Sequence, residues 1–230
     1  MLKVFQFCLF VVGFLGISYW AALWYEGRTA QEEGAKELDT QIQETPAPPP
    51  SKKSRSSRKA PPEPLPMPAP VKGKAIARME VPRLKLSAVV FEGTDDRTLN
   101  KGVGHLPGSA LPGQTGNVVL AAHRDTYFRA LENIRRNDHI KVITPQGPKT
   151  YLVESTAIVT PKTVEVTKAT STPTLTLITC YPFRYVGSAP YRFIVKGREL
   201  DAMQARAKPA KKTKSRTALV RSRTRGGRRI

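Results

Sequence analysis

From residue 4 to residue 25 the chain is apolar except for Gln6 and Ser18. At about 1.5 Å per helical residue, a run of that length matches a hydrocarbon core of roughly 30 Å. Such a segment has no place inside a small globular domain, so whatever folds must do so on one side of it. A cleaved leader would have a shorter apolar stretch, about 7–15 residues, ending at small residues. Trp20-Ala21-Ala22-Leu23-Trp24-Tyr25 ends instead on aromatics of the kind that sit at a membrane interface. Residues 4–25 therefore read as an uncleaved transmembrane helix. Lys3 is the only charged side chain before it, and Glu26, Arg28, Glu32 and Glu33 follow. The positive-inside rule puts residues 1–3 in the cytoplasm and everything after residue 25 on the outer side of the cell membrane.

The formal net charge of +20 would suggest a nucleic-acid partner if it were spread over the folded part, and it is not. Residues 202–230 carry eleven Lys and Arg and no acid, and residues 51–60 carry five more basic side chains. The middle of the chain is only mildly basic, so no nucleic-acid function is expected of it. Residues 26–74 read as a Pro/Ser/Lys-rich spacer, with a short helix over 31–43 and an extended, solvated stretch after it. Residues 202–230 read as a disordered basic tail, for which anionic wall polymers or outer-leaflet lipids are the available partners.

Between residues 75 and 201 the texture changes to short β-branched and aromatic runs separated by Gly, Pro and Asn-Asp clusters. That texture predicts a small all-β barrel or sandwich. The runs place eight strands, over 75–81, 88–92, 117–122, 139–144, 149–159, 164–166, 174–179 and 191–196. Helical turns are expected over 95–101 and 127–134. The stretch 102–108, with its glycines, reads as a loop, and Leu106-Pro107-Gly108-Ser109-Ala110 as a turn.

The two cysteines are Cys8 in the apolar segment and Cys180 in the domain, so no intrachain disulfide is expected. On composition alone a lone cysteine ending an apolar strand is a small buried hydrophobe more often than a nucleophile. Its setting changes that balance. Acyl transfer by cysteine needs a thiolate, a proton donor for the leaving amine, and positive charge where an oxyanion develops. Cys180 ends the run Thr174 to Thr179 and precedes Tyr181-Pro182; His123 follows the apolar run Val118 to Ala122; Arg192 opens the last strand.

At these residues the sequence resembles the sortases, and among them the class D type. The family's Thr-Leu-x-Thr-Cys motif is matched by Thr176-Leu177-Ile178-Thr179-Cys180, its arginine by Arg192 and its strand-end histidine by His123. Gly116-Asn117-Val118 through His123-Arg124-Asp125-Thr126, and Cys180-Tyr181-Pro182-Phe183 through Gly187-Ser188-Ala189-Pro190, carry the likeness further. The resemblance covers about residues 75–200. It implies an eight-stranded sortase-type β-barrel with short helices, in a membrane-anchored cysteine transpeptidase. Cys180 would attack a sorting motif near the C-terminus of an exported protein and form a thioacyl intermediate. His123 would serve as acid and then base, Arg192 would steady substrate or oxyanion, and an amine such as one from a cell-wall precursor would resolve the intermediate. Thr179 and the loops 161–173 and 181–190 are implied as substrate contacts.

Bland readings stand beside these. His105 and His139 read as structural or exposed. Arg184 is nearer to Cys180 in sequence than Arg192 is, and the family pattern favours Arg192. Arg124 and Asp125 adjoin His123; Asp125 either accepts a hydrogen bond that fixes the imidazole or pairs with Arg124 in a loop salt bridge, and neither is read as catalytic. No cofactor is implied. Some relatives use calcium, but Glu92, Asp95 and Asp96 form the only tight acidic group, and Asp95-Asp96 reads as a helix start, so no metal site is expected. The Gln-Ala-Cys-x-Gly motif of caspases and the Ser-His-Gly-Cys cluster of L,D-transpeptidases are missing. From a different class, the rival reading is a catalytically silent sortase-like module that binds anionic wall polymer through its tail; an enzyme alone requires all three of Cys180, His123 and Arg192.

Overall fold

The structure, a computed structural model, describes residues 2–44 and 70–200. Most of the expected spacer, 45–69, and the expected basic tail lie outside the described residues.

The β-branched runs form eight strands: β1 (Ala75–Val81), β2 (Leu86–Glu92), β3 (Val103–His105), β4 (Asn117–Ala121), β5 (His139–Thr144), β6 (Gly147–Val159), β7 (Thr174–Tyr181) and β8 (Tyr191–Glu199). They close into a barrel in the order β1-β2-β3-β4-β7-β8-β6-β5, with β5 returning to β1. Closure leaves no unpaired sheet edge. Along β1 burial alternates, with Ala77, Met79 and Val81 inside, as a sheet with one wet face requires. Val118 and Leu120 from β4, Leu175 and Leu177 from β7, Val195 from β8 and Tyr151 and Val153 from β6 fill the interior with them. Phe128 and Leu131, from the expected helical segment 127–134, complete the core.

The strand expected over 164–166 is instead a 3-10 helical turn, Val164–Thr167. The side-chain amide of Asn117 donates to the carbonyls of Val166 and Lys168, at 3.0 and 3.1 Å, taking acceptors that a ladder would need. The eighth strand is β3, from the glycine-rich stretch read as a loop. A Cβ on Gly104 would overlap the Gly93 carbonyl oxygen, so glycine admits a close approach that hydropathy does not report. The other expected helix is α2 (Asp96–Lys101), capped by the Asp95 carboxylate accepting from Thr98 N at 3.2 Å.

The apolar segment and the short helix expected over 31–43 form one helix, α1 (Leu2–Glu44), about 65 Å long. It is long and apolar enough to cross a membrane, and Phe5, Phe10, Phe14 and Leu15 are exposed along it. Residues 26–44 of the expected spacer are thus helical, and from Gln31 onward they pack on the barrel. Gln31 accepts from Val89 N through Oε1 (2.8 Å) and donates to Lys101 O through Nε2 (2.6 Å). Leu38 is fully buried, and Glu37 and Asp39 pair with Lys74 and Arg78 on the barrel. A Cβ on Gly34 would stand 2.9 Å from the Phe91 ring, so this glycine sets how close α1 lies.

A second brace joins the β1–β2 turn to the start of β5. Arg83 gives Nε and Nη2 to the two oxygens of the buried Asp138, at 2.5 and 2.6 Å, and Arg135 N donates to the same carboxylate at 2.8 Å. The Arg83 hydrogen bonds hold the Asp138 carboxyl below the usual carboxylate range, against the burial that would raise it.

Both braces are open to test. Gly34→Leu should overpack the joint by about 1–3 kcal/mol, speeding amide exchange over residues 31–43 while barrel amides keep their protection; unchanged exchange over 31–43 would refute the close packing. Asp138 binds its proton less tightly folded than unfolded, so its contribution is present above about pH 4 and is lost as pH falls through the lower folded value. Asp138→Asn should therefore lower the urea midpoint at pH 7 and show a smaller further loss on acidification than the wild type; parallel pH profiles would contradict this.

Candidate active site

β7 lies between β4, to which it is parallel, and β8, to which it is antiparallel. Its alternation turns Leu175, Leu177 and Thr179 inward and leaves Thr176, Ile178 and Cys180 on the outer face. Cys180 is directly paired with Arg192 in the β7–β8 ladder. Direct partners share a face, with Cβ atoms about 4.5–5.5 Å apart. On the other side Ala121 is level with Ile178, and Ala122 N donates to Ile178 O at 3.3 Å. Two more residues in that register bring His123 level with Cys180. Three neighbouring strands thus deliver the three expected residues to one end of the barrel.

Each of the three is partly exposed. Arg192 donates through Nη1 to the carbonyls of Tyr191 (3.0 Å) and Ala189 (3.3 Å), so its guanidinium lies along the β7–β8 loop. The His123 ring Nε2 donates to Asn100 Oδ1 at 3.2 Å. An amide oxygen only accepts, which puts a proton on Nε2 in this arrangement. Asn100, near the end of α2, is a positioning partner that nothing in the order of motifs disclosed. Thr179, expected to touch substrate, has its hydroxyl on the opposite face, where the residue is 2% exposed, donating to Ala122 O at 2.7 Å.

Arg124, read as half of a loop salt bridge, reaches across to the β7–β8 loop instead. Its guanidinium donates to the carbonyls of Pro182 (3.0 Å), Tyr185 (2.9 Å) and Gly187 (3.0 Å) and lies 5.7 Å from the Tyr185 ring centre. It therefore pins the loop that joins Cys180 to Arg192 onto the segment that carries His123. Tyr181, Phe183 and Phe193 pack ring against ring at the root of the same loop, with centroids 5.2–6.3 Å apart. The loop 161–173 is held from below by Asn117.

The other candidates are placed elsewhere. Arg184 pairs with Glu132 at 3.4 Å, and Asp125 is exposed. His139 is exposed at the start of β5. His105 is 1% exposed, with Nδ1 on Glu92 Oε2 (2.6 Å) and Nε2 against Ala110 O (3.0 Å) and Ser109 Oγ (2.9 Å). It locks β3 and the 106–110 turn to β2. Glu92 is thereby engaged, and Asp95 caps α2 and pairs with Lys72 at 3.3 Å.

A partly exposed cysteine paired with an arginine at one end of a closed eight-stranded barrel is the local arrangement to set beside known proteins. The Sortase domain family model matches residues 79–200, more than half of the chain, and the chain belongs to the sortase family. It is 38% identical to Sortase D of Bacillus subtilis over 129 residues, 56% of this chain and 65% of that protein. The chain thus spans slightly less than two thirds of that relative's length. Among solved structures, sortase C-1 from Actinomyces oris is 30% identical with a TM-score of 0.51, covering 55% of this chain and 75% of that one. A Clostridium perfringens structure described as a Sortase D5 transpeptidase shares the fold at a TM-score of 0.58 and 20% identity, over 76% of this chain and 99% of that one.

Arg124→Ala should free the loop it pins, raising amide exchange over residues 183–189 by about tenfold or more, in line with the loss of charged hydrogen bonds. Exchange in the centre of β7 should stay as it was; no change over 183–189 would mean that the three carbonyl bonds do not restrain the loop.

Proposed function

We propose that this sortase is a membrane-anchored cysteine transpeptidase acting on exported proteins that carry a C-terminal sorting motif. The observation that carries the reading is the direct pairing of Cys180 with Arg192 across β7 and β8, with His123 two residues past the end of the neighbouring β4. The Cys180 thiolate attacks the backbone carbonyl of the motif. As the tetrahedral species collapses, the C–N bond breaks, His123 gives its proton to the departing amine, and a thioester to Cys180 remains. An incoming amine, such as one on a cell-wall precursor, then attacks the thioester, His123 takes the proton, and the thiolate leaves. Arg192 stabilises the oxyanion in both steps, its guanidinium turning from the loop carbonyls towards the thiol.

The loops 161–173 and 181–190 form the walls against which the sorting motif lies, and Thr179 acts from behind by tying the end of β4 to β7. α1 crosses the membrane with the N-terminus in the cytoplasm and the barrel outside.

Cys180→Ala should abolish the covalent adduct that the wild type forms with a sorting-motif peptide, read as a mass increase on the intact protein, with the barrel's circular dichroism unchanged. Persisting turnover would remove Cys180 from the mechanism. Arg192→Ala should lower kcat/KM by about 10²–10³-fold, the usual cost of losing an oxyanion donor, while Arg184→Ala should leave it near the wild-type value. The reverse pattern would reassign the cation.

A further inference from the structure

An open cleft of about 1190 Å³ lies between α1 and the barrel, and the transfer reaction uses only its His123 wall. Its lining includes Trp20, in the last part of the apolar run of α1, and reaches His123 on the barrel. Four cationic side chains line it, Arg28, Lys85, Arg97 and Lys101, against two carboxylates, Glu26 and Asp125. Arg28 is engaged with Glu32 on its own helix at 3.7 Å. Among the described residues, Lys85, Arg97 and Lys101 make no salt bridge. With Glu26 and Asp125 the only carboxylates in the lining, cationic side chains outnumber anionic ones around the cavity.

The wall that bears these cations is held in place. The Lys101 carbonyl accepts both Gln31 Nε2 at 2.6 Å and the Tyr127 hydroxyl at 2.8 Å, which fastens the end of α2 to α1 and to the segment after His123. Lys85 occupies the left-handed region (φ 52, ψ 31) at the β1–β2 turn. Glycine or asparagine adopts that conformation with less strain; here the Lys85 N–H donates to Pro82 O at 3.0 Å and closes the turn, which sets the residue at the cavity wall.

We propose that this cavity binds the phosphate headgroup of an anionic phospholipid from the bilayer that α1 crosses, with Lys85, Arg97 and Lys101 holding the phosphate. The position of the opening selects the ligand. Trp20 stands at the level where interfacial aromatics meet headgroups, so an anion entering there comes from the lipid surface. Basic side chains within a Debye length of an anionic leaflet are drawn to it, and here they line a cleft rather than a flat patch. A bound headgroup would bridge α1 and the barrel beside the joint made by Gln31 and Gly34, fixing the tilt of the catalytic end against the membrane. The inference rests on α1 being a membrane anchor.

The test uses the full chain in nanodiscs of phosphatidylcholine, with or without phosphatidylglycerol, read by amide exchange. Phosphatidylglycerol should slow exchange over residues 84–88 and 96–102 by about threefold or more. Lys85→Glu with Arg97→Glu and Lys101→Glu should remove that protection. The milder Arg97→Gln should reduce it in a protein whose β7 amides are unperturbed, which separates loss of the site from misfolding. Charge reversal at Arg221, Arg223 and Arg225 in the basic tail should leave it intact. Equal exchange in the two lipids, or protection lost on tail reversal, would overturn the proposal. Protection by glycerol phosphate added to phosphatidylcholine discs would also overturn it, since the lipid would then be dispensable. Release of the protein from the discs by high salt would instead show that the anchor reading fails, an outcome distinct from a retained protein without protection.

Discussion

The position of β7 between a parallel and an antiparallel neighbour is the constraint on which the site depends. Either ladder alone would place two of the three candidate residues; the β7–β8 ladder pairs Cys180 with Arg192, and the β4–β7 ladder ends two residues short of His123. Strand register is quantised, and a slip of one residue turns every side chain to the other face. A slip of β4 against β7 would set His123 opposite the wrong face of the sheet. The parallel pair is the weaker kind, and it is reinforced by side chains. Thr176 Oγ1 donates to Asn117 Oδ1 at 2.7 Å in a buried contact, and Thr179 Oγ1 donates to Ala122 O at the other end. The two threonines of the Thr-Leu-Ile-Thr-Cys run are thus register pins on either side of Ile178.

Register also accounts for why so much of the site was legible in the sequence while the supporting residues were not. Cys180, His123 and Arg192 each stand at the end of an apolar β-branched run, and strand ends are visible to periodicity. The parts played by Asn100 and Arg124 come from contacts across 23 and 58–63 positions of chain, made by polar loop side chains that follow no period. Arg124 adjoins His123, and its nearest carboxylate in sequence suggested a salt bridge. Carbonyl oxygens were the acceptors instead, and no pattern of residue types reports where a carbonyl points.

The fold shows the same division. Long runs such as those of β5, β6 and β8 stood out because β-branched and aromatic residues bounded by Gly and Pro persist over six or more positions, and β5 also alternates in burial. β3 has three residues, glycine within and beside it, and no alternation to detect. The run at 164–166 has strand-like residue types, yet the Asn117 amide takes two of its neighbouring carbonyls and winds it into a turn. In both cases a tertiary contact outweighed local propensity, which is the usual limit of a short window.

The joint between α1 and the barrel escaped the sequence for a related reason. An amphipathic helix announces itself by an apolar stripe, but the stripe here is Gln31, Gly34 and Leu38, with one large apolar side chain. Its hold comes from an amide that bonds Val89 N and Lys101 O, and from the absence of a side chain at Gly34. Directional bonds of this kind specify an angle and a height more narrowly than apolar burial of the same extent, because they fail when the helix rotates or slides by one residue. Between Tyr25, the last residue of the apolar run, and Gln31, α1 rises only about 9 Å. With α1 crossing the bilayer as proposed, the barrel is held next to the headgroups by a continuous helix, which sets the distance of Cys180 from that surface.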